Sequence, residues 1–168
     1  LKNNFIPLYR PSISKQEIIN VKTCLNEGWI SSKGKFVSSF EKEFKKKFGY
    51  KYATVTINGT AALHLAMLSL NLSSKDTVVT SPLSFLASAN CVEYVGAKVD
   101  FCDIEKTSYT LDPNKLEDKL KKKNIKAVIV VDYAGHPADW ESFYFLKKKY
   151  KFVLVNDNCH ALGSKLNN

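Results

Sequence analysis

Three short stretches of this chain bring together residue types suited to a flat, anionic ligand. The first is Ile57-Asn58-Gly59-Thr60-Ala61-Ala62-Leu63-His64, where a Gly-Thr pair joins a β-branched segment to an apolar one. Glycine lets backbone come close to a ligand, and the first turn of a helix has amide N–H groups without internal partners. Together with the positive end of the helix dipole, these form a site for a phosphate or another anion. The same residues also suit an ordinary strand-to-helix turn capped by Asn58 or Thr60. The second stretch, Ser81-Pro82-Leu83-Ser84-Phe85, offers an aromatic face for a planar ring, or else a core aromatic. The third, Asp157-Asn158-Cys159-His160, sets a carboxylate and an imidazole three residues apart. Asp157 suits a protonated ring nitrogen, because an ion pair favours both charged forms, and it equally suits a helix cap. His160 can donate to a ligand oxygen or satisfy a buried backbone group.

A phosphate cradle, a stacking aromatic and an acid for a pyridine nitrogen are together what pyridoxal 5'-phosphate needs from a protein. Dinucleotides and nucleoside triphosphates fit poorly. No G-x-G-x-x-G is present, and Asn58-Gly59-Thr60 lacks both the P-loop lysine and its glycine spacing. No metal site is expected either. Cys24, Cys91, Cys102 and Cys159 show no paired short spacing, so buried free thiols in a reducing compartment are the expectation.

The elements that must position these residues follow from the apolar pattern. From residue 52 strands and helices alternate, with strands expected at 52–57, 77–80, 98–102, 126–131 and 152–156. Helices are expected at 60–70, 85–95, 113–123 and 140–149, with Asp112-Pro113 and Asp139 as starts. Ala127-Val128-Ile129-Val130-Val131 is apolar throughout, as a strand buried on both faces should be. This is an α/β domain with a mainly parallel sheet and flanking helices. Ligands of such sheets sit beyond the carboxyl ends of the strands, where Asn58-Gly59-Thr60, Phe85, Asp103, Asp132 to His136 and Asp157 to His160 all fall. Before residue 52 come an extended arm over 1–12 and a helix opened by the capping box Ser14-Lys15-Gln16-Glu17 and closed at Gly28. A polar loop containing Ser32 and Lys33 follows. Phe36, Phe40, Phe44 and Phe48 then form a helical stripe facing a core or a subunit interface, ended by Gly49.

The chain has 168 residues, 45% of them hydrophobic, enough for one domain with a real core. Its net charge of +9 lies in runs such as Lys45-Lys46-Lys47, Lys121-Lys122-Lys123 and Lys147-Lys148-Lys149 near expected helix ends, where cations favour the dipole. No nucleic-acid-binding motif accompanies them, so no nucleic-acid partner is expected. No apolar run approaches the ~20 residues of a membrane span, and no signal-peptide core opens the chain. A soluble, cytoplasmic protein without membrane insertion is expected.

Asn58-Gly59-Thr60-Ala61-Ala62-Leu63-His64-Leu65-Ala66, Ser84-Phe85-Leu86-Ala87-Ser88-Ala89-Asn90 and His160-Ala161-Leu162-Gly163 resemble the DegT/DnrJ/EryC/StrS-type sugar aminotransferases. These are pyridoxal-phosphate enzymes of the aspartate-aminotransferase fold, and the likeness runs from about Ile6 to Ser164. Thr80 to Phe85, Val131 to Gly135 and Asp157 to Gly163 resemble most the branch that aminates UDP-linked 4-keto-6-deoxy-N-acetylhexosamines in pseudaminic-acid-type synthesis. The resemblance implies that the backbone of Thr60 and Ala61, after Gly59, holds the cofactor phosphate. It also implies that Phe85 stacks on the pyridine ring, Asp157 pairs with its nitrogen, and His160 bonds the phenolic oxygen. The loop Ile30 to Gly34 resembles the family's nucleotide-sugar loop, with Ser32 and Lys33 as candidates. A homodimer and a glutamate donor are implied as well.

The family's catalytic lysine lies in a Ser-Phe-His-x-x-Lys-like segment beyond His-Ala-Leu-Gly, hence beyond Asn168. Lys165 is too close to that stretch to take its place, so no catalytic residue is assigned within the chain. Residues 1–50 are expected to form the N-terminal arm and helices. Residues 51–168 would then be part of the large cofactor-binding domain, without its final strands or the small C-terminal domain. In the family's sheet order two absent strands separate 152–156 from 52–57, leaving 52–57 without its usual neighbour and 152–156 with an open edge. The expected activity of the parent protein is transfer of an amino group from an amino acid to a nucleotide-linked keto sugar. A non-catalytic module binding the cofactor or a nucleotide sugar is the other reading.

Overall fold

The structure, a computed structural model, describes residues 6–7 and 10–166. Its elements in chain order are α1 (Lys15–Asn26), α2 (Lys35–Phe48), α3 (Gly59–Ser69), β1 (Thr77–Thr80), α4 (Ala87–Glu93) and β2 (Lys98–Phe101). α5 (Pro113–Leu120), β3 (Ala127–Val131), a 3-10 turn (Tyr133–Gly135), α6 (Trp140–Tyr150) and β4 (Val153–Asp157) complete the series. The four strands form one parallel sheet in the order β2-β1-β3-β4. The α/β class and the parallel sheet agree with the sequence reading.

Alternation along the strands sends side chains to two separate layers. Val79, Val128 and Val130 pack with Leu111, Leu116 and Phe143 on the face covered by α5 and α6. Val78, Ala127 and Ile129 pack with Leu63, Met67 and Val92 on the face covered by α3 and α4. Every residue of β3 is buried, as its unbroken apolar run requires. The chain runs from β1 to β2 on one side and then crosses to β3 on the other. This reversal leaves a crevice at the carboxyl ends of β1 and β3.

Residues 52–57 are the main correction. They carry no strand and pair with no other segment of the described residues, and Ile57 is exposed. β-branched composition favours extended backbone, but a strand exists only where a neighbour accepts its ladder. β4 pairs with β3 and lies at the edge of the sheet, as expected.

The chain divides into two compact units, one up to Val55 and one from Thr56 on. In the first, Ser14 and Glu17 form the expected capping box, and α1 ends before Gly28 at φ 71°. α2 ends at Gly49 in the left-handed conformation. Its phenylalanine stripe packs along itself, with Phe44 and Phe48 ring centres 4.7 Å apart and tilted, and Phe44 stacked on Phe40 and Tyr50. No residue of α1 or α2 is buried within the described chain. The expected arm over 1–12 lies partly outside the described residues; residues 6–7 and 10–14 hold no regular element. The helix expected at 85–95 is shorter, Ala87–Glu93, so Phe85 precedes it in a turn.

Candidate cofactor site

A cavity of about 330 Å³ opens at the carboxyl ends of the strands. That is within the size range of small-molecule sites. Asn58, Gly59, Thr60, Phe85, Asp157 and His160 line it, together with Cys159 and apolar groups from α3, α4 and β3. The expected cofactor residues Gly59, Thr60, Phe85, Asp157 and His160 are therefore brought together. Ser32 and Lys33 belong to the other unit, where both are exposed in the loop between α1 and α2.

The anion end is the start of α3. Asn58 caps the helix, its Oδ1 accepting from the Ala61 N–H at 2.9 Å and its carbonyl from the Ala62 N–H at 3.1 Å. The N–H groups of Gly59 and Thr60 have no acceptor among the described residues. In this structure, then, Ala61 is engaged by the cap and the free donors are one residue earlier. A Cβ built on Gly59 would lie 2.6 Å from Cys159 Sγ, so glycine is what lets α3 begin against the turn after β4.

Asp157 closes β4 and is 6% exposed. Its Oδ2 accepts from the buried Ser88 hydroxyl at 2.9 Å and its Oδ1 from the Cys159 N–H at 3.3 Å. It caps no helix, which removes the simpler account of this carboxylate. Burial, then the Asp157 charge, pushes the Cys91 thiol up to about 11. Cys159 is likewise pushed up to about 11 by desolvation and by Asp157, so it is a thiol rather than a thiolate near neutral pH. The expectation of buried thiols holds for Cys91 and Cys102; Cys24 is half-buried and Cys159, in a turn, is exposed.

Phe85 is 71% exposed, so its ring is not a core aromatic. His160 Nδ1 accepts from the Ala134 N–H at 3.3 Å. In the neutral ring the proton then sits on Nε2, leaving a donor for an oxygen. This bond is set by the β3–α6 turn, where Ala134 takes φ 53° and the Ser164 hydroxyl bonds the Gly135 carbonyl. Below it, Asp132 is buried and accepts from the Ala138 N–H, Trp140 Nε1 and Asn156 Nδ2.

Two free N–H groups at a helix start, an exposed ring and a buried carboxylate within one cavity suit a phosphorylated pyridine. The sequence reading did not single out Ser88 or Cys159. A polar residue in the apolar run Leu86-Ala87-Ser88-Ala89, one turn after Phe85, was the available signal for the first.

Comparison with known proteins agrees with this geometry. Residues 11–168 match the DegT/DnrJ/EryC1/StrS aminotransferase family. The chain is 38% identical over 161 residues to GDP-perosamine synthase of Escherichia coli O157:H7, covering 96% of this chain and 44% of that protein. It is 32% identical to the solved PseC of Helicobacter pylori, an aminotransferase involved in the biosynthesis of pseudoaminic acid. That match has a TM-score of 0.81 and covers 94% of this chain and 42% of that one. NtdA of Bacillus subtilis, solved with bound cofactor PMP, is 25% identical with a TM-score of 0.80, covering 90% of this chain and 35% of that one. The chain thus spans less than half the length of each.

Proposed function

This chain belongs to the DegT/DnrJ/EryC1/StrS aminotransferase family, and we propose that it is the N-terminal part of a pyridoxal-phosphate enzyme that aminates a nucleotide-linked 4-keto sugar. The observation that carries the reading is the pairing, in one cavity, of a buried carboxylate at the end of β4 with unpartnered N–H groups at the start of α3.

Bound pyridoxal phosphate supplies an electron-withdrawing ring that stabilises a carbanion next to the transferred nitrogen. The chain's own residues do the rest of the holding. The N–H groups of Gly59 and Thr60 bind phosphate, and that of Ala61 joins them when the Asn58 side chain turns away. Phe85 covers one face of the ring and keeps water from it. Asp157 keeps the pyridine nitrogen protonated. His160 donates from Nε2 to the phenolic oxygen. No lysine lines the cavity among the described residues, and the amine that would move the proton is assigned to no residue of this chain.

The amino donor is an amino acid, with glutamate as the first to test. The likeness to PseC supports a substrate of pseudaminic-acid-type synthesis, for which the sequence reading expects a UDP-linked sugar, and that to GDP-perosamine synthase supports a GDP-linked sugar. Ser32 and Lys33 are assigned to the sugar nucleotide. The whole protein is proposed to be a cytoplasmic homodimer; no helix among the described residues is long and apolar enough to cross a membrane. The test is an amination assay on the full-length protein with pyridoxal phosphate, glutamate and each nucleotide-linked 4-keto sugar. Formation of the 4-amino sugar with loss of glutamate supports the reading. Cofactor binding with no amination of any keto sugar supports a non-catalytic module instead.

A further inference from the structure

Asp157 does not hold its place alone. Its Oδ2 receives the hydroxyl of Ser88 at 2.9 Å, across 69 residues of sequence, with Ser88 fully buried and Asp157 6% exposed. Ser88 sits in the first turn of α4, and its own N–H donates to the Phe85 carbonyl at 3.1 Å. One turn of chain therefore carries both the ring that faces the cavity and the hydroxyl that grips the acid. A hydrogen bond to an ionised carboxylate is about twice as strong as one between neutral groups, and burial removes the water that would replace it.

We propose that Ser88 is a positioning residue for the cofactor. Its hydroxyl fixes the Asp157 carboxylate so that the pyridine nitrogen meets an oriented charge, and it ties that orientation to the placement of Phe85. The proposal rests on the pyridoxal-phosphate reading of the cavity. Without the hydroxyl, Asp157 keeps its other bond, from the Cys159 N–H at 3.3 Å, and is free to turn about it.

Two probes separate this role from a merely structural one. Pyridoxal 5'-phosphate carries the ring nitrogen; 1-deazapyridoxal 5'-phosphate has the same phosphate, aldehyde and ring shape without it. Their dissociation constants are measured on the full-length protein, its Ser88→Ala and Ser88→Cys variants, and Asp157→Asn. Ser88→Ala is expected to weaken pyridoxal phosphate about tenfold while leaving the deaza compound within about twofold, with Ser88→Cys in between. Equal loss for both probes, or no loss for either, overturns the proposal. Asp157→Asn reports on the underlying reading independently: if it fails to discriminate between the probes, the assignment of Asp157 to a ring nitrogen is wrong, whatever Ser88 does.

Discussion

The α-carbon of Gly59 faces the sulfur of Cys159 so closely that a Cβ there would stand 2.6 Å from Sγ. The contact joins the start of α3 to the turn after β4, the two segments that frame the anion and acid ends of the cavity. Gly59→Ala would ordinarily stabilise a helix by up to about 1 kcal/mol. Here the clash should reverse the sign, with a net loss of about 1–2 kcal/mol and weaker binding of pyridoxal phosphate. Thermal melts of Gly59→Ala, Cys159→Ala and the double variant check this. The double variant should recover most of the loss; a stable single variant would show that the sulfur simply turns aside.

Asp132 should matter to stability more than its place beside the cavity suggests. One oxygen accepts from the Ala138 N–H at 2.8 Å and Trp140 Nε1 at 2.9 Å, and the other from Asn156 Nδ2 at 2.9 Å. An amide in its place must set a donor against a donor. Asp132→Asn is expected to cost about 1–3 kcal/mol, read as a lower denaturant midpoint by tryptophan fluorescence. Asp139→Asn, which keeps a competent cap on α6, should stay within about 0.5 kcal/mol of the parent.

His160 is held by the Ala134 N–H at Nδ1, which leaves Nε2 as the donor. A glutamine at this position can also donate through its amide, whereas phenylalanine cannot. His160→Gln should keep pyridoxal phosphate affinity within a few-fold, and His160→Phe should lose about tenfold. Equal affinities for the two variants in an equilibrium titration would remove His160 from the site.

The acid limb of stability should carry a contribution from Asp100. Desolvation raises its carboxyl, but bonds from Lys123 and Lys119 outweigh that and hold it below the ordinary aspartate range. A folded-state value below the unfolded one gives stability that is present above the unfolded pKa of about 3.9 and lost as pH falls through the folded value. Lys123 is largely exposed, so the effect is no more than about 1 kcal/mol at neutral pH. Asp100→Asn should therefore destabilise at pH 7 and match the parent in strong acid. A pH-independent difference in denaturation midpoint would contradict this.

Much of the scaffold was legible in the chain because burial and spacing write it locally. The unbroken apolar run at 127–131 became the fully buried β3, and Asp112-Pro113 became the start of α5, with the Asp112 carboxylate accepting from two N–H groups. Residues 52–57 misled because β-branched composition reports a preference, whereas pairing is supplied by a neighbour. Gly59, Phe85, Asp157 and His160 were legible as neighbours because each falls at or just beyond a strand or helix end. Ser88 was not: its significance lies in a bond to a residue 69 positions away, which no local pattern encodes. The capture of the Ala61 N–H by Asn58 was equally hidden, since a cap and an anion site use the same donors.

The most direct measurement is a crystal structure of the full-length protein with pyridoxal 5'-phosphate. The account predicts the phosphate at the N–H groups of Gly59 and Thr60, the ring against Phe85, and the pyridine nitrogen within hydrogen-bond distance of an Asp157 oxygen. A phosphate bound elsewhere, such as beside Lys121-Lys122-Lys123, or a ring whose nitrogen does not meet Asp157, would contradict it.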